Sequence, residues 1–436
     1  MSTSEYDSYR PPEPEGGRKK RRRGGRPGGP GGRDGGGRGG PGGRDGGGRG
    51  GPGGQGWKNR GSDGNREMPM VEDVEFSSYY GRPIVKAPPW GDEISLYLFL
   101  GGLAGGSSLL GLGAQFSDRP GLRIATRLTA ITATAVGGGA LVADLGRPER
   151  FLNMMRVFKV SSPMSLGTWI LSAFGVGSGV LTAIEVDRLT GMRLPLGPLR
   201  GLLHAMETPA ALESALFATP LAAYTGALLG DTAVPTWNAA GRNGLSYVFV
   251  SSAAMAAGGT AMALAPVRET GPARLLALAG TAGEVVAMSQ MKKGMHPAEV
   301  DPLEAGEPGR KLHRSEQLLI AGAAGAAAVE VGARVFAKKL GRGTSAGVGS
   351  RSLTFGAGRS GSGAEKRGWK TRAALRALSV VSGAALAAAS AYTRFGVLEA
   401  GIESTKDPRH VVDPQRARLE ERRARGIVDD SITTGS

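Results

Sequence analysis

The sequence predicts an all-α, polytopic membrane protein with a disordered basic tail, and its charge pattern is the main reason. Three stretches contain no Asp, Glu, Lys or Arg over 24 or 25 residues: Ile94–Ser117, Val160–Ile184 and Asn243–Val267. A helix that crosses a bilayer needs about 20 mostly apolar residues. The formal net charge of +16 collects instead in the tails and loops. Long apolar segments between charged loops are typical of an integral membrane protein.

The second observation concerns the residue types that would hold a redox metal. The 436-residue chain has no cysteine and four histidines. Without cysteine there is no thiolate ligand for an iron–sulfur cluster, no covalent attachment for c-type haem and no disulfide. The histidines lie near segment ends or in loops, not facing each other within a bundle. We therefore expect no haem, no iron–sulfur cluster and no metal site in this chain.

Residues 1–90 differ in composition from the rest of the chain. An unbroken basic run at residues 18–23 precedes a glycine-rich stretch in which the unit PGGRDGGGRGG occurs twice, from Pro30 and from Pro41. Glycine at this density cannot repay the entropy lost on ordering, so the tail is predicted to be disordered. We expect a solvated tail that helps to fix topology, and an arm that binds RNA or lipid headgroups is the alternative. We expect no signal peptide, because no apolar run follows the basic run closely.

We predict about eight transmembrane helices in packed bundles. The first contains the run GGLAGG at residues 101–106, and the second carries three glycines at residues 137–139; such small residues let helices approach closely in lipid. The third and fifth are free of charge, a glutamate interrupts the fourth, sixth and seventh, and arginines flank the eighth. The predicted spans are residues 94–115, 122–143, 163–184, 205–230, 244–266, 273–291, 315–337 and 373–396. The resulting regions are the tail at 1–90, helices one to seven within 91–337, a flexible basic linker at 338–372, helix eight at 373–396 and a polar C-terminal tail at 397–436.

An even number of helices places both termini on one side of the cell membrane. The loops after the second and sixth helices are richer in Lys and Arg than the loops after the first, third and fifth, which favours cytoplasmic termini. The basic linker at 338–372 opposes this orientation, since it falls on the other side. We expect a multi-pass cell-membrane protein with both termini in the cytoplasm.

Helix direction brings several polar side chains to one membrane face, because odd-numbered helices start there and even-numbered helices end there. The residues predicted to meet are Glu93, Tyr97, Asp144, Arg147, Ser165, Trp169, Tyr224, Trp237 and Glu284. A polar cluster among apolar helices suits a quinone, whose carbonyls need hydrogen-bond partners and whose tail needs apolar surfaces. The alternatives are a structural ion pair for Asp144 and Arg147, and an interfacial aromatic belt for the tyrosines and tryptophans.

Further glutamates lie deeper in the predicted helices or towards the opposite face. Glu207, Glu213 and Glu330 belong to this group, and together with Glu284 they are candidates for a proton relay. Ionisable groups inside a membrane are functional hypotheses by default because burying their charge is costly. The alternative is that each pairs with a basic residue or lies at a helix end.

Two motifs lie on either side of the loop between the second and third helices. Residues 144–148 read DLGRP, followed by Arg150 and Phe151, and residues 162–169 read SPMSLGTW. Together they resemble the membrane subunit of polysulfide reductase and its relatives, the NrfD-like family. Further similar features are GLAGG at 102–106, YTG at 224–226 and PTW at 235–237, so the resemblance covers roughly residues 88–412.

The resemblance implies bundles of eight or more helices that bind menaquinone or ubiquinone without haem. It also implies an iron–sulfur, ferredoxin-like partner subunit, often connected to a molybdopterin catalytic subunit. Carried onto this chain, it implies a headgroup region with Tyr97 and Tyr224 and with Glu93 beside them. Asp144 and Arg147 would belong to the adjoining polar path.

We therefore interpret the chain as the quinone-binding membrane subunit of an oxidoreductase, of the formate dehydrogenase-like or polysulfide reductase-like kind. It would exchange electrons between the quinone pool and a partner's iron–sulfur clusters, and it would not be catalytic alone. A transporter or ion channel that conducts through the buried glutamates is an alternative, and it predicts internal repeats or interrupted helices around a midplane cavity. A structural anchor whose basic arm recruits nucleic acid or anionic lipid is another, although nucleic acid is not the partner that we expect.

Overall fold

The structure, a computed structural model, describes residues 82–145, 148–344 and 362–427, and within these ranges all regular secondary structure is helical. The helices in chain order are α1 (Asp92–Phe116), α2 (Pro120–Asp144), a 3-10 segment (Pro148–Arg156), α3 (Pro163–Leu189), α4 (Leu199–Ala205), α5 (Glu207–Gly230), α6 (Pro235–Arg242), α7 (Leu245–Leu264), α8 (Gly271–Gly294), α9 (Pro297–Glu304), α10 (Gly306–Thr344), α11 (Ser362–Ser404) and α12 (Arg409–Ala424). The tail at 1–90, which is predicted to be disordered, lies outside these ranges up to residue 81. Arg147 also lies outside them.

Each of the eight predicted spans coincides with a long helix: α1, α2, α3, α5, α7, α8, α10 and α11. Six of these are long and apolar enough to cross a membrane, and α2 and α8 are not among the six. The all-α membrane fold is therefore confirmed, whereas the count of eight spans is not. The physical reason lies in composition, since α2 is rich in threonine and glycine and α8 carries Arg274, Glu284 and two lysines.

The last two long helices extend beyond their apolar segments. α10 continues to Thr344, and α11 begins at Ser362 and ends at Ser404. The predicted linker at 338–372 is therefore helical at both of its described ends, and the predicted C-terminal tail contains the last turns of α11 and all of α12. Hydropathy marks where a helix leaves the apolar layer, but Ala, Lys, Arg and Glu are good helix formers that continue the helix beyond it.

Short helices replace two regions that the sequence predicts as loops. α6 lies within the predicted loop at 231–242, and α9 lies within the predicted loop at 292–314. Both begin with proline at the first helical position, where the missing N–H costs nothing. At the start of α9 the side chain of His296 accepts from the backbone while Glu299 accepts from the backbone N–H of His296, which fixes this turn.

α1 is the central helix of the bundle. It packs on α2, α5, α7 and α11, while α3 packs on α5, α8 on α7, and α10 on α11. The predicted close approach through small residues is present: a Cβ atom at Gly105 would lie only 2.5 Å from the carbonyl oxygen of Ala218 on α5. Buried leucine, alanine, methionine and phenylalanine side chains form the core between these helices.

Contacts between helix termini define two ends of the bundle. Tyr97 near the start of α1 contacts Tyr224 near the end of α5, and Tyr224 packs on Gly167 near the start of α3. Trp237, just after α5, contacts Val397 late in α11. We call this the tyrosine end, and we call the other the opposite end. The predicted alternation of helix direction is what brings Tyr97 and Tyr224 together.

Candidate functional site

The tyrosine end contains a buried pair of phenol groups. The hydroxyls of Tyr97 on α1 and Tyr224 on α5, 127 positions apart in sequence, are hydrogen-bonded to each other. Tyr97 is 4% exposed and Tyr224 is partly buried, and both pack in an apolar cluster that includes Ile94 and Leu229. A phenol hydroxyl can donate one hydrogen bond and also accept. The pair therefore has capacity for a third polar group.

Glycines on α2 and α3 flank this pair. A Cβ atom at Gly137 would lie 3.5 Å from the ring of Tyr97, and a Cβ atom at Gly167 would overlap the ring of Tyr224. Because α2 packs mainly on α1 and α3 mainly on α5, the tyrosines lie where these two helix pairs meet. Neither flanking helix has a side chain at the point where it approaches the rings.

The surface of α2 stays free of side chains around this position. Gly137 is buried, Gly138 is half-buried and Gly139 is exposed. Neither Gly138 nor Gly139 would have a heavy atom within 4 Å of an added Cβ. α2 therefore has three consecutive residues without side chains, from the exposed Gly139 to Gly137 beside the ring of Tyr97.

Ser165 and Trp169, at the start of α3, hold the loop that precedes it. The hydroxyl of Ser165 donates to the carbonyl of Val157 at 3.0 Å and accepts from the backbone N–H of Lys159 at 3.1 Å. The indole N–H of Trp169 donates to the same Val157 carbonyl at 3.3 Å, and its ring meets Phe158 edge-on with centroids 6.0 Å apart. Both polar groups are thus used in local structure, and their predicted role in headgroup binding stays a prediction.

Two further predicted residues lie at the tyrosine end without a described contact to the hydroxyl pair. Glu93 is half-buried on the first turn of α1, one turn before Tyr97. Asp144 is the last residue of α2 and is partly exposed. Arg147 lies outside the described residues, so neither the polar path that the sequence predicts for Asp144 and Arg147 nor the alternative ion pair is tested.

Trp237 is fully buried and does not belong to an interfacial aromatic belt. It is 0% exposed, its indole N–H donates to the carbonyl of Val397 at 2.8 Å, and its ring stacks on Trp90 with centroids 5.3 Å apart. Its ring also packs on Gly401 of α11. This tryptophan joins α6, α11 and the segment before α1 into one layer at the tyrosine end.

Glu284 is buried in the middle of the bundle together with an arginine that the sequence assigned to a helix flank. Glu284 is 3% exposed, and Arg394 on α11 is 1% exposed. The hydroxyl of Thr393, the residue before Arg394, donates to Glu284 Oε1 at 2.6 Å. The signal for burial was present in the sequence, since the apolar residues 395–398 continue the helix beyond Arg394.

The other three glutamates of the predicted relay, Glu330, Glu213 and Glu207, lie elsewhere, and Glu207 is paired with Arg127 and Arg188 at the opposite end. Glu330 on α10 accepts from Arg274 at 2.5 Å and from Arg334 at 2.7 Å, which is the paired arrangement that the sequence left as an alternative. Glu213 on α5 packs on Gly177 of α3, and its Oε2 atom has no hydrogen-bond partner in the described part of the chain. The described side chains thus place Glu213, Glu284 and Glu330 in three separate environments.

The opposite end carries a charge cluster that the sequence did not predict. Arg127 of α2 donates to Glu185 of α3 at 2.6 Å and to Glu207 of α5 at 2.9 Å. Arg123 also bonds Glu185, and Arg188 bonds Glu207 at 2.5 Å. These pairs close the bundle between α2, α3 and α5. Among the described residues, no group of three or more His, Cys, Asp or Glu side chains could hold a metal ion.

Comparison with known proteins agrees with the motif resemblance. Residues 84–284, from just before α1 into α8, match the family model described as Polysulphide reductase, NrfD. These residues form an NrfD-like segment. The protein is also 31% identical over 149 residues to the C subunit of polysulfide reductase from Wolinella succinogenes, a match that covers 32% of this protein and 47% of that subunit. The match spans about half the length of this curated relative.

We call Tyr97, Tyr224 and the flanking Gly137 and Gly167 the tyrosine site. All four residues lie within the NrfD-like segment at residues 84–284. Arg394 lies outside it. With several helices able to cross a membrane, the chain is a multi-pass membrane protein that contains an NrfD-like segment.

Proposed function

We propose that this NrfD-like chain is the quinone-binding membrane subunit of a multi-subunit oxidoreductase. It exchanges electrons between a menaquinone or ubiquinone pool and an iron–sulfur partner, and it anchors that partner to the membrane. The single observation that carries the proposal is the buried hydroxyl pair of Tyr97 and Tyr224, flanked by Gly137 and Gly167.

The residues at the tyrosine end fit a quinone headgroup. The phenol hydroxyls of Tyr97 and Tyr224 can turn from each other to the headgroup oxygens, donating to carbonyls or accepting from hydroxyls. Gly138 and Gly139 have open space where a side chain would lie, so α2 offers bare backbone to a flat ring or an apolar tail beside the tyrosines. A bound quinone supplies two-electron, two-proton redox chemistry.

The electrons need an acceptor or donor outside this chain. Because the sequence has no cysteine, it cannot hold a cysteine-ligated iron–sulfur cluster. We propose a ferredoxin-like iron–sulfur subunit as the immediate partner and a molybdopterin subunit beyond it, in a polysulfide reductase-like or formate dehydrogenase-like complex. The partner docks at the tyrosine end, where α6, α9 and α12 form the outer layer, since electrons leave from there.

The other predicted site residues keep their roles within this proposal. Glu93, Ser165 and Trp169 border the headgroup region, while Asp144 and Arg147 form the polar path from it to the aqueous phase. Both termini lie on the cytoplasmic side. Glu93 is the nearest of these in sequence to the hydroxyl pair, four residues before Tyr97 on the same helix face.

The test is purification of the full chain with its co-purifying partners, followed by quinone extraction and a quinol oxidation assay. We expect quinone in the wild-type preparation, and less of it in Tyr97→Phe and Tyr224→Phe. Loss of one hydrogen bond to a headgroup is worth about 0.5–1.5 kcal/mol, so KM should rise about two- to tenfold. Tyr247→Phe is the matched control, because Tyr247 is also near the tyrosine end but is 75% exposed.

Two results would contradict the proposal. One is a wild-type complex that contains no quinone and does not oxidise quinol. The other is a pair of tyrosine variants that match Tyr247→Phe in both quinone content and KM. A transporter, by contrast, would move ions or solutes in proteoliposomes without any quinol.

A further inference from the structure

Arg394 is a fully buried charged side chain that contacts the helix turn of the tyrosine site. Its Nη2 donates to the carbonyl of Phe249 at 2.6 Å, and its guanidinium carbon lies 3.8 Å from the centre of the Phe249 ring. Its Nη1 lies 3.4 Å from the hydroxyl of Thr225, the residue after Tyr224. Gly102 of α1 provides the space, since a Cβ atom there would lie 3.0 Å from Nη2.

Glu284 is a buried carboxylate that is bonded to the residue before this arginine. Thr393 on α11 donates to it at 2.6 Å, and Ser315 on α10 bonds Thr393 at 2.8 Å. Because Arg394 follows Thr393 on α11, polar side chains extend from Glu284 through Thr393 and Arg394 to Thr225.

Two buried atoms of this cluster have no hydrogen-bond partner among the described residues: Glu284 Oε2 and Arg394 Nε. Burying a charged side chain costs desolvation energy that an apolar side chain of the same size would not cost. Packing alone therefore does not account for a carboxylate with a free acceptor atom at this depth. Unsatisfied buried polar atoms in native structures are concentrated at catalytic and ion-handling sites.

We propose that Glu284 is the internal group that exchanges a proton with the headgroup at Tyr97 and Tyr224, and that Arg394 is the positioning residue that holds it there. The inference rests on the proposed function, and it adds a proton store on the inner side of the site. It assigns a role to a residue, Arg394, that lies outside the matched NrfD-like range.

When a quinol is oxidised, its two electrons pass to the iron–sulfur partner and both of its O–H bonds break. One proton passes inward and forms an O–H bond at Glu284 Oε2, and the other leaves at the tyrosine end. Arg394 keeps its positive charge throughout, so it favours the carboxylate again once the inner proton has left. Quinone reduction reverses each step.

The test uses the full chain in its purified complex and compares Glu284→Gln, Glu284→Asp and Arg394→Lys. Glutamine keeps the acceptor for Thr393 but cannot take up a proton. We expect Glu284→Gln to lower quinol turnover on the order of 100-fold, the usual range for losing a proton-transfer group, with unchanged KM and quinone content. The redox-induced infrared difference spectrum of the wild type should contain a carboxylic acid band that Glu284→Gln lacks and Glu284→Asp retains.

Arg394→Lys keeps the positive charge but loses the two guanidinium nitrogens that contact the Phe249 carbonyl and the Thr225 hydroxyl. We expect it to shift the frequency of the carboxyl band and to lower turnover less than Glu284→Gln does. Glu269→Gln is the matched control: Glu269 is a largely buried carboxylate at the opposite end that accepts from the backbone of Leu122, and glutamine can accept in the same way. Its turnover and infrared spectrum should equal those of the wild type.

Wild-type turnover and pH profile in Glu284→Gln would overturn the assignment, and so would a carboxyl band that survives in this variant. If Glu284→Gln does not fold, the carboxylic acid band is compared between the wild type and Glu284→Asp. A band at the same frequency in both proteins excludes Glu284 as its source. Failure of the proposed function is a different result, because the wild type would then contain no quinone and oxidise no quinol.

Discussion

The ring of Tyr224 lies directly against the backbone of Gly167. Two of its ring atoms would be within 2.9 Å of a Cβ atom at this position, and a third would be closer still. The glycine of the SPMSLGTW motif therefore sets the position of a tyrosine on another helix. Any larger residue would push the ring, and with it the hydroxyl that meets Tyr97, out of place.

We expect Gly167→Ala to destabilise the protein and to weaken quinone binding together. Overpacking of this kind costs about 1–3 kcal/mol, because the neighbouring ring must move. The thermal midpoint in detergent and the amount of co-purified quinone should both fall. Gly179→Ala on the same helix is the control, since an added Cβ there has no neighbour within 4 Å. Equal quinone content in the two variants would contradict the proposed importance of this contact.

The loop before α3 offers a second prediction. Ser165 bonds the backbone at Val157 and Lys159, so Ser165→Ala should loosen this loop. Losing about 1 kcal/mol of local stability corresponds to about a fivefold faster opening, which trypsin cleavage after Lys159 would measure. Thr182→Ala serves for comparison, because the Thr182 hydroxyl bonds its own helix at Ser178. An unchanged cleavage rate in Ser165→Ala would mean that the loop is held by other contacts.

Helix direction was enough to predict which residues meet at the tyrosine end. Charge-free runs gave the helix positions, and the alternation of directions then placed Tyr97 and Tyr224 at one end, where their hydroxyls are bonded. The same reasoning places Ser165 and Trp169 at this end of the bundle, but it does not show that their polar groups bond the preceding loop. A residue's height along a helix follows from sequence, whereas its direction around the helix depends on packing.

Partners from distant helices were the part that the sequence could not supply. Arg394 reads as a flanking charge because it lies two residues before the end of the predicted span 373–396, although it is buried between Phe249 and Thr225. Glu330 reads as a relay member until its partner Arg274, 56 positions away, is known. Both errors have one cause: a charge inside a helix is classified by its neighbours in space, and these lie on other helices.

Trp237 provides a prediction about the layer that covers the tyrosine end. Trp237→Phe keeps an aromatic ring against Trp90 but loses the indole N–H bond to the carbonyl of Val397. Losing one buried hydrogen bond costs about 0.5–1.5 kcal/mol, so the thermal midpoint should fall. Trp369→Phe should leave the midpoint unchanged, because Trp369 is 60% exposed. Equal midpoints in the two variants would show that the indole N–H does not stabilise this layer.

The charge cluster at the opposite end predicts a stability effect that is separate from quinone binding. Arg127 is 3% exposed and donates to Glu185, Glu207 and Gln115 at 2.6, 2.9 and 2.7 Å. Arg127→Met leaves the fully buried Glu185 with only its bonds to peripheral arginines, and breaking a buried ion pair from one side costs about 3–5 kcal/mol. We expect a large fall in the yield of folded protein and in its thermal midpoint.

Arg268→Met is the matched control for this change, because the Arg268 side chain is 87% exposed and only approaches Glu269 at 3.8 Å. The fraction of Arg127→Met that folds should still contain quinone in the wild-type ratio, since Arg127 lies at the end of the bundle away from Tyr97 and Tyr224. A stable Arg127→Met protein without quinone would link the two ends, and it would contradict the separation of the stabilising cluster from the tyrosine site.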